Sequence, residues 1–147
     1  MKEVVVAECR RVIHERISNL KSQMVELVND AANDSKSTAG DKHETSRAMM
    51  QLEQEKLGAQ LKILEEQQRQ LEQLPAQNSS GKVNNGSLVE TDRGWIFIGA
   101  ALGKINVNDK EVICISQQSP LGKLLFVQDS GSIVSLHNVK YQILSIQ

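Results

Sequence analysis

The sequence predicts an α+β protein of two domains: an N-terminal antiparallel coiled-coil hairpin of helices over 1–78, then a small antiparallel β-sheet domain with one short helix over 79–147. Three observations predict it. Apolar residues in the first half recur at heptad spacing. All four aromatics of the 147-residue chain (Trp95, Phe97, Phe126, Tyr141) lie beyond residue 90, and 24 of its 35 charged residues lie in the first 75. The halves are built by different rules, which for a chain of this length points to two small domains.

The first helix is read from Ile13, Ile17, Leu20, Met24, Leu27 and Ala31, which follow steps of 4, 3, 4, 3 and 4 and keep an apolar seam on one face. The stretch Ser37-Thr38-Ala39-Gly40-Asp41-Lys42-His43-Glu44 interrupts the pattern. Beyond it, Met50, Leu57, Leu61, Leu64 and Leu71 fall on a second heptad track, with Gln54 and Gln68 in its remaining places and Leu52 and Ile63 beside it. Two seams separated by a short turn imply that residues 3–35 and 42–74 pair as the arms of one hairpin. Each arm of ~30 residues would reach ~45 Å at 1.5 Å per residue, with Asp41 and Glu44 at the far tip. Proline ends the second arm in Leu74-Pro75-Ala76-Gln77-Asn78-Ser79-Ser80-Gly81, where small polar residues read as a linker.

In the second half, alternation of β-branched, aromatic and polar residues predicts strands at Gly86–Glu90, Trp95–Ile98 after an Asp92-Arg93-Gly94 turn, Glu111–Ser116, Ser132–Leu136 and Lys140–Ile146. Ser119 as N-cap and Pro120 at the first helical position predict a short helix to Phe126. A segment of this size supports one modest core, with a helix packed on a sheet.

A net charge of −1 gives no bulk attraction to nucleic acid, so such a contact has to come from a local patch or through another protein. No apolar run approaches the ~20 residues that span a bilayer, and the N-terminus lacks a signal-peptide pattern. Cys9 and Cys114 lie in different predicted domains without metal spacing, and read as reduced thiols in a cytoplasmic protein.

Asp41 and Glu44 have two readings. Asp-x-x-Glu at a helix start is close to a capping box, in which Asp41 accepts from backbone N–H groups and Glu44 reaches back to the cap. Alternatively, two carboxylates on a rigid tip bind a hard divalent cation. Mg²⁺ takes one or two protein carboxylates and fills its other positions with water or phosphate, so two carboxylates make a partial site that a partner completes. His43 reads as a solvated turn residue.

Gly40-Asp41-Lys42-His43-Glu44 resembles the Gly-Asp-x-x-Glu tip of the bacterial Gre transcript-cleavage factors, a transcription elongation factor family. The resemblance extends along nearly the whole chain: Asn85-Gly86-Ser87-Leu88-Val89 is similar to the family's first C-terminal strand, Ser119-Pro120-Leu121-Gly122-Lys123-Leu124-Leu125 to its Ser-Pro-Leu-Gly helix start, and Val134–Ile146 to its closing strand pair. It implies a coiled coil with an acidic tip and an FKBP-like domain that docks on bacterial RNA polymerase. The hairpin would enter the secondary channel, where the tip acids help hold a catalytic Mg²⁺ shared with the polymerase and a water that cleaves backtracked RNA near its 3′ end. Asp41 would then be a metal ligand and Glu44 a metal ligand or the group that orients and deprotonates the water. The chain would be no enzyme itself but would stimulate the polymerase's own cleavage. Family tips continue Glu-Asn-x-x-Tyr, whereas this chain has Thr45 and Ala48 at those places.

Arg10, Arg11 and Arg16 are interleaved with Glu3, Glu8 and Glu15 and read as a solvated charged face. The four aromatics read as core, too few for a prolyl-isomerase pocket. Two rival functions follow: a secondary-channel regulator that blocks rather than cleaves, and a chaperone-like coiled coil. The polar tip argues against the second. The expected partners are RNA polymerase and, through it, the nascent RNA 3′ end, with no membrane and no small-molecule substrate.

Overall fold

The computed structural model describes residues 1–34, 40–75 and 77–147, and their side chains except those of 31, 33, 34 and 40–43. Two long helices come first, α1 (Lys2–Asp34) and α2 (Gly40–Glu72), close to the expected arms. Of the expected turn at 36–41, residues 36–39 lie outside the described residues, and Gly40 and Asp41 already belong to α2.

The covered positions of α2 keep heptad spacing, and those of α1 do so from Ile13 on, preceded by two steps of four from Val5. Along α1, Val5, Cys9, Ile13, Ile17 and Leu20 are buried, and Met24 and Leu27 are half-buried. Along α2, Leu57 and Leu71 are buried, while Met50, Gln54, Leu61, Leu64 and Gln68 fill the other places of the track half-buried. Leu52 and Ile63, one step off that track, are exposed. Burial therefore follows the 4-and-3 period and not hydrophobicity alone.

The chain divides into two compact units, Met1–Val12 together with Gln67–Gln147, and Ile13–Glu66. The bases of both helices thus belong to the unit that contains the sheet. The segment expected as a linker is knitted by side chains: Asn78 Nδ2 donates to the Lys82 carbonyl at 2.7 Å, Ser80 Oγ donates to Asn78 Oδ1 at 2.9 Å, and Ser87 Oγ donates to Asn84 Oδ1 at 2.8 Å.

After this turn come β1 (Leu88–Thr91), β2 (Gly94–Ile98), β3 (Gly103–Val107), β4 (Lys110–Ile115), α3 (Pro120–Leu125), β5 (Ile133–Leu136) and β6 (Val139–Ile146). The sheet order is β3-β4-β2-β1-β6-β5. The expected antiparallel sheet is corrected to a mixed one, because β2 and β4 pair in parallel, Ile96 opposite Ile113 and Phe97 opposite Cys114. The reason is β3, which the sequence pattern did not reveal. After β2 the chain skips one place and returns as the edge strand β3. A hairpin then turns β4 back into the gap, antiparallel to β3 and hence parallel to β2.

Two-residue turns close both the β3–β4 and β5–β6 hairpins. Asn108 and Asp109 take φ of 50° and 63°, and His137 and Asn138 take 50° and 66°. Positive φ at both central positions is the type I′ geometry that matches strand twist, and Asn and Asp tolerate it best. Gly86 is another forced position: at φ 95° its N–H donates to the Ile98 carbonyl at 2.6 Å, a conformation that side-chain-bearing residues rarely adopt.

The sheet is covered on both faces. On one, Val83, Val89, Ile96, Ile98, Leu125, Val134 and Ile143 form a buried cluster that includes α3. Ser119 caps α3 as expected, its Oγ accepting from the Gly122 N–H at 3.1 Å, with Pro120 beginning the helix. On the other face Leu88, Phe97 and Cys114 lie side by side in register and are buried. The helix bases cover them, Cys9 Sγ lying 3.7 Å from Cys114 Sγ. Burial of Leu88 and Phe97 contributes about 2 kcal/mol each.

Candidate functional site

α2 begins at Gly40, which places Asp41 second in the helix and Glu44 one turn further on. An acid in a first turn faces the positive end of the helix dipole, so the position favours a carboxylate whatever else it does. Glu44 is exposed, as are Arg47 and Ala48. The side chains of Asp41 and His43 lie outside the described residues. Among the described residues no group of three or more His, Cys, Asp or Glu is arranged to hold a metal ion. Glu44 supplies a solvent-facing carboxylate, the donor type Mg²⁺ takes when other oxygens come from elsewhere.

Of the basic residues near the start of α1, Arg11 is engaged with an acid. Arg11 makes a two-point contact with Glu8, Nη2 to Oε1 at 2.7 Å and Nε to Oε2 at 3.1 Å, and this hydrogen bond holds the Glu8 carboxyl below its usual range. Lys2, Glu3 and Arg10 line a cleft of about 230 Å³ floored by Val6, Leu71, Leu74 and Pro75. Burial pushes the Lys2 ammonium below its ordinary pKa.

Of the four aromatics expected as core, only Phe97 is fully buried. Trp95, Phe126 and Tyr141 are half-buried. Two of these carry a cation: Lys110 Nζ stands 5.5 Å from the centre of the Trp95 ring, and the Arg93 guanidinium 5.9 Å from that of Tyr141. Arg93 Nε also donates to the Lys140 carbonyl at 2.6 Å, so its position is fixed from two sides. The sheet's unit exposes Leu124, Val127, Ile133 and Leu144. Val127 is unusual twice over: it is β-branched at φ 59° and its side chain is 56% exposed.

Sequence reasoning missed the meeting of Cys9 and Cys114. It assigned them to different domains, but both belong to the unit containing the sheet, as buried thiols not joined by a disulfide, their Sγ atoms 3.7 Å apart. A separation of 105 residues leaves no local signal for such a contact. No family model, curated protein or solved structure matches the chain.

Proposed function

We propose that the chain is an elongation factor of the Gre type, which enters the secondary channel of bacterial RNA polymerase and stimulates cleavage of backtracked nascent RNA. The observation that carries the reading is Gly40-Asp41-Lys42-His43-Glu44 at the start of α2, beside the connection between two 33-residue helices and with Glu44 exposed. In this reading the two heptad stripes pair as an antiparallel coiled coil. Thirty-three residues suffice for a rod of roughly 50 Å. The following unit has the FKBP-like role of docking on the polymerase rim, and its exposed Leu124, Val127, Ile133 and Leu144 supply apolar contact.

At the polymerase active site Asp41 and Glu44 lend oxygen donors to a Mg²⁺ that the polymerase also holds. When bound, that ion polarises the scissile phosphate and acidifies water. Where Glu44 does not ligate the ion, it orients the attacking water and accepts its proton, a task its solvent-facing carboxylate suits. Thr45 and Ala48 support a second reading, a factor that occupies the channel and slows elongation without cleaving.

One experiment separates them. Added to a backtracked elongation complex with Mg²⁺, the wild-type chain is expected to release short 3′ RNA fragments, and Asp41→Asn or Glu44→Gln to lower that rate at least ~10-fold with folding unchanged. A first-turn acid at the helix dipole is worth only about 0.3–1 kcal/mol, so a merely structural Asp41 would leave cleavage intact in Asp41→Asn. Slowed elongation without fragments would replace the first reading by the second.

A further inference from the structure

We infer that Cys9 and Cys114 are a modification site: an oxidisable dithiol that peroxide closes into an intramolecular disulfide joining the base of α1 to β4. The two Sγ atoms lie 3.7 Å apart. A bond of ~2.05 Å requires an approach of only about 1.7 Å, within what side-chain rotation and small backbone shifts supply. Both side chains are buried, Cys9 at 0% and Cys114 at 1% exposure, so each thiol has the other as its ready sulfur partner and bulk thiols are kept away. The pair is too small for a metal site, since among the described residues no third donor joins it.

The chemistry balances with hydrogen peroxide as oxidant. One thiolate attacks a peroxide oxygen; the O–O bond breaks, hydroxide leaves and takes up a proton, and the sulfur becomes a sulfenic acid. The second sulfur then attacks the sulfenic sulfur and expels hydroxide, which takes the remaining thiol proton as water. Two thiols and one peroxide give one disulfide and two waters. The Cys114 hydrogen bond holds the Cys9 thiol below its ordinary pKa against the effect of burial, which favours Cys9 as the first nucleophile.

Peroxide gains access when the base of α1 opens locally from the sheet, the sub-global opening that folded proteins undergo. Closure of the disulfide ends that opening. It also joins residues 105 apart, among the longer loops a cross-link removes from the unfolded chain.

The test uses the reduced wild-type chain, treated with hydrogen peroxide in native buffer and then alkylated with iodoacetamide in denaturant. The expected product is a monomer lighter by two hydrogens, unalkylated at Cys9 and Cys114, reverted by dithiothreitol, and melting roughly 10 °C higher than the reduced form. Its amides from Val5 to Ile13 should exchange more slowly. Cys114→Ser should give no such product. Alkylation of both cysteines after peroxide treatment, or disulfide-linked dimers in place of the monomer, would overturn the assignment.

Discussion

Val127 shows how one residue separates fold from function. Its φ of 59° is imposed by the turn after α3: its N–H donates to the Val83 carbonyl at 2.8 Å, and the Val83 N–H donates to the Gln128 carbonyl at 3.0 Å. A β-branched side chain in the left-handed region costs on the order of 1–3 kcal/mol, and because this one is 56% exposed little packing offsets the cost. Strain retained on an exposed apolar residue is what a contact surface would explain. Val127→Asn, a residue that tolerates this conformation, is expected to stabilise the chain by about 1 kcal/mol, read as a higher urea midpoint at unchanged slope. In the docking reading the same change weakens polymerase binding. A variant that is both more stable and binds as well would show that Val127 has no part in docking.

Among the elements, the helices were the most legible because their signal is repeated: α2 presents the same period through Met50, Leu57, Leu64 and Leu71, and a single polar exception at Gln54 or Gln68 does not break it. α3 was legible from two residues, since Ser119 and Pro120 each act locally. β3 was not. Gly103-Lys104-Ile105-Asn106-Val107 shows only two apolar side chains, as expected of an edge strand, and its pairing depends on β4, which follows it in sequence. Missing β3 also hid the parallel pair. For the site, Gly40 to Glu44 stood out only through family likeness, since the same spacing serves a cap, while the Cys9–Cys114 contact depends on topology alone. The period also makes a prediction: Leu57 is 4% exposed on the α2 stripe, and Leu57→Asp would place a charge where an apolar partner is required. Loss of about 3 kcal/mol is expected, with a fall in helical circular dichroism at temperatures where the wild type is folded. Leu52→Asp, one step off the stripe on an exposed residue, should change stability by less than about 0.5 kcal/mol.

At the scale of the whole molecule, composition and cover disagree about where the chain can be cut. Composition places a boundary near residue 78, where the charged helices give way to aromatic-bearing strands. Cover does not, because the compact unit with the sheet includes Met1–Val12 and Gln67–Glu72 of the two helices. Removal of residues 1–78 takes Cys9 from Cys114, and Leu74 from Gly99, where even an added Cβ would meet the Leu74 side chain at 3.2 Å. It leaves Leu88, Phe97 and Cys114 on a bare sheet face. Re-exposure of those three costs about 5 kcal/mol, comparable to the whole stability of a domain of about 70 residues. The fragment 79–147 is therefore expected to lose cooperative thermal unfolding and to bind a hydrophobic dye. A chain in which Ile13–Glu66 are replaced by a short Gly/Ser turn retains both helix bases and should unfold cooperatively; under the proposed docking reading it should also compete with the full-length chain for polymerase. Cooperative unfolding of 79–147 on its own would show that the helix bases are dispensable to the sheet, and would return the boundary to residue 78.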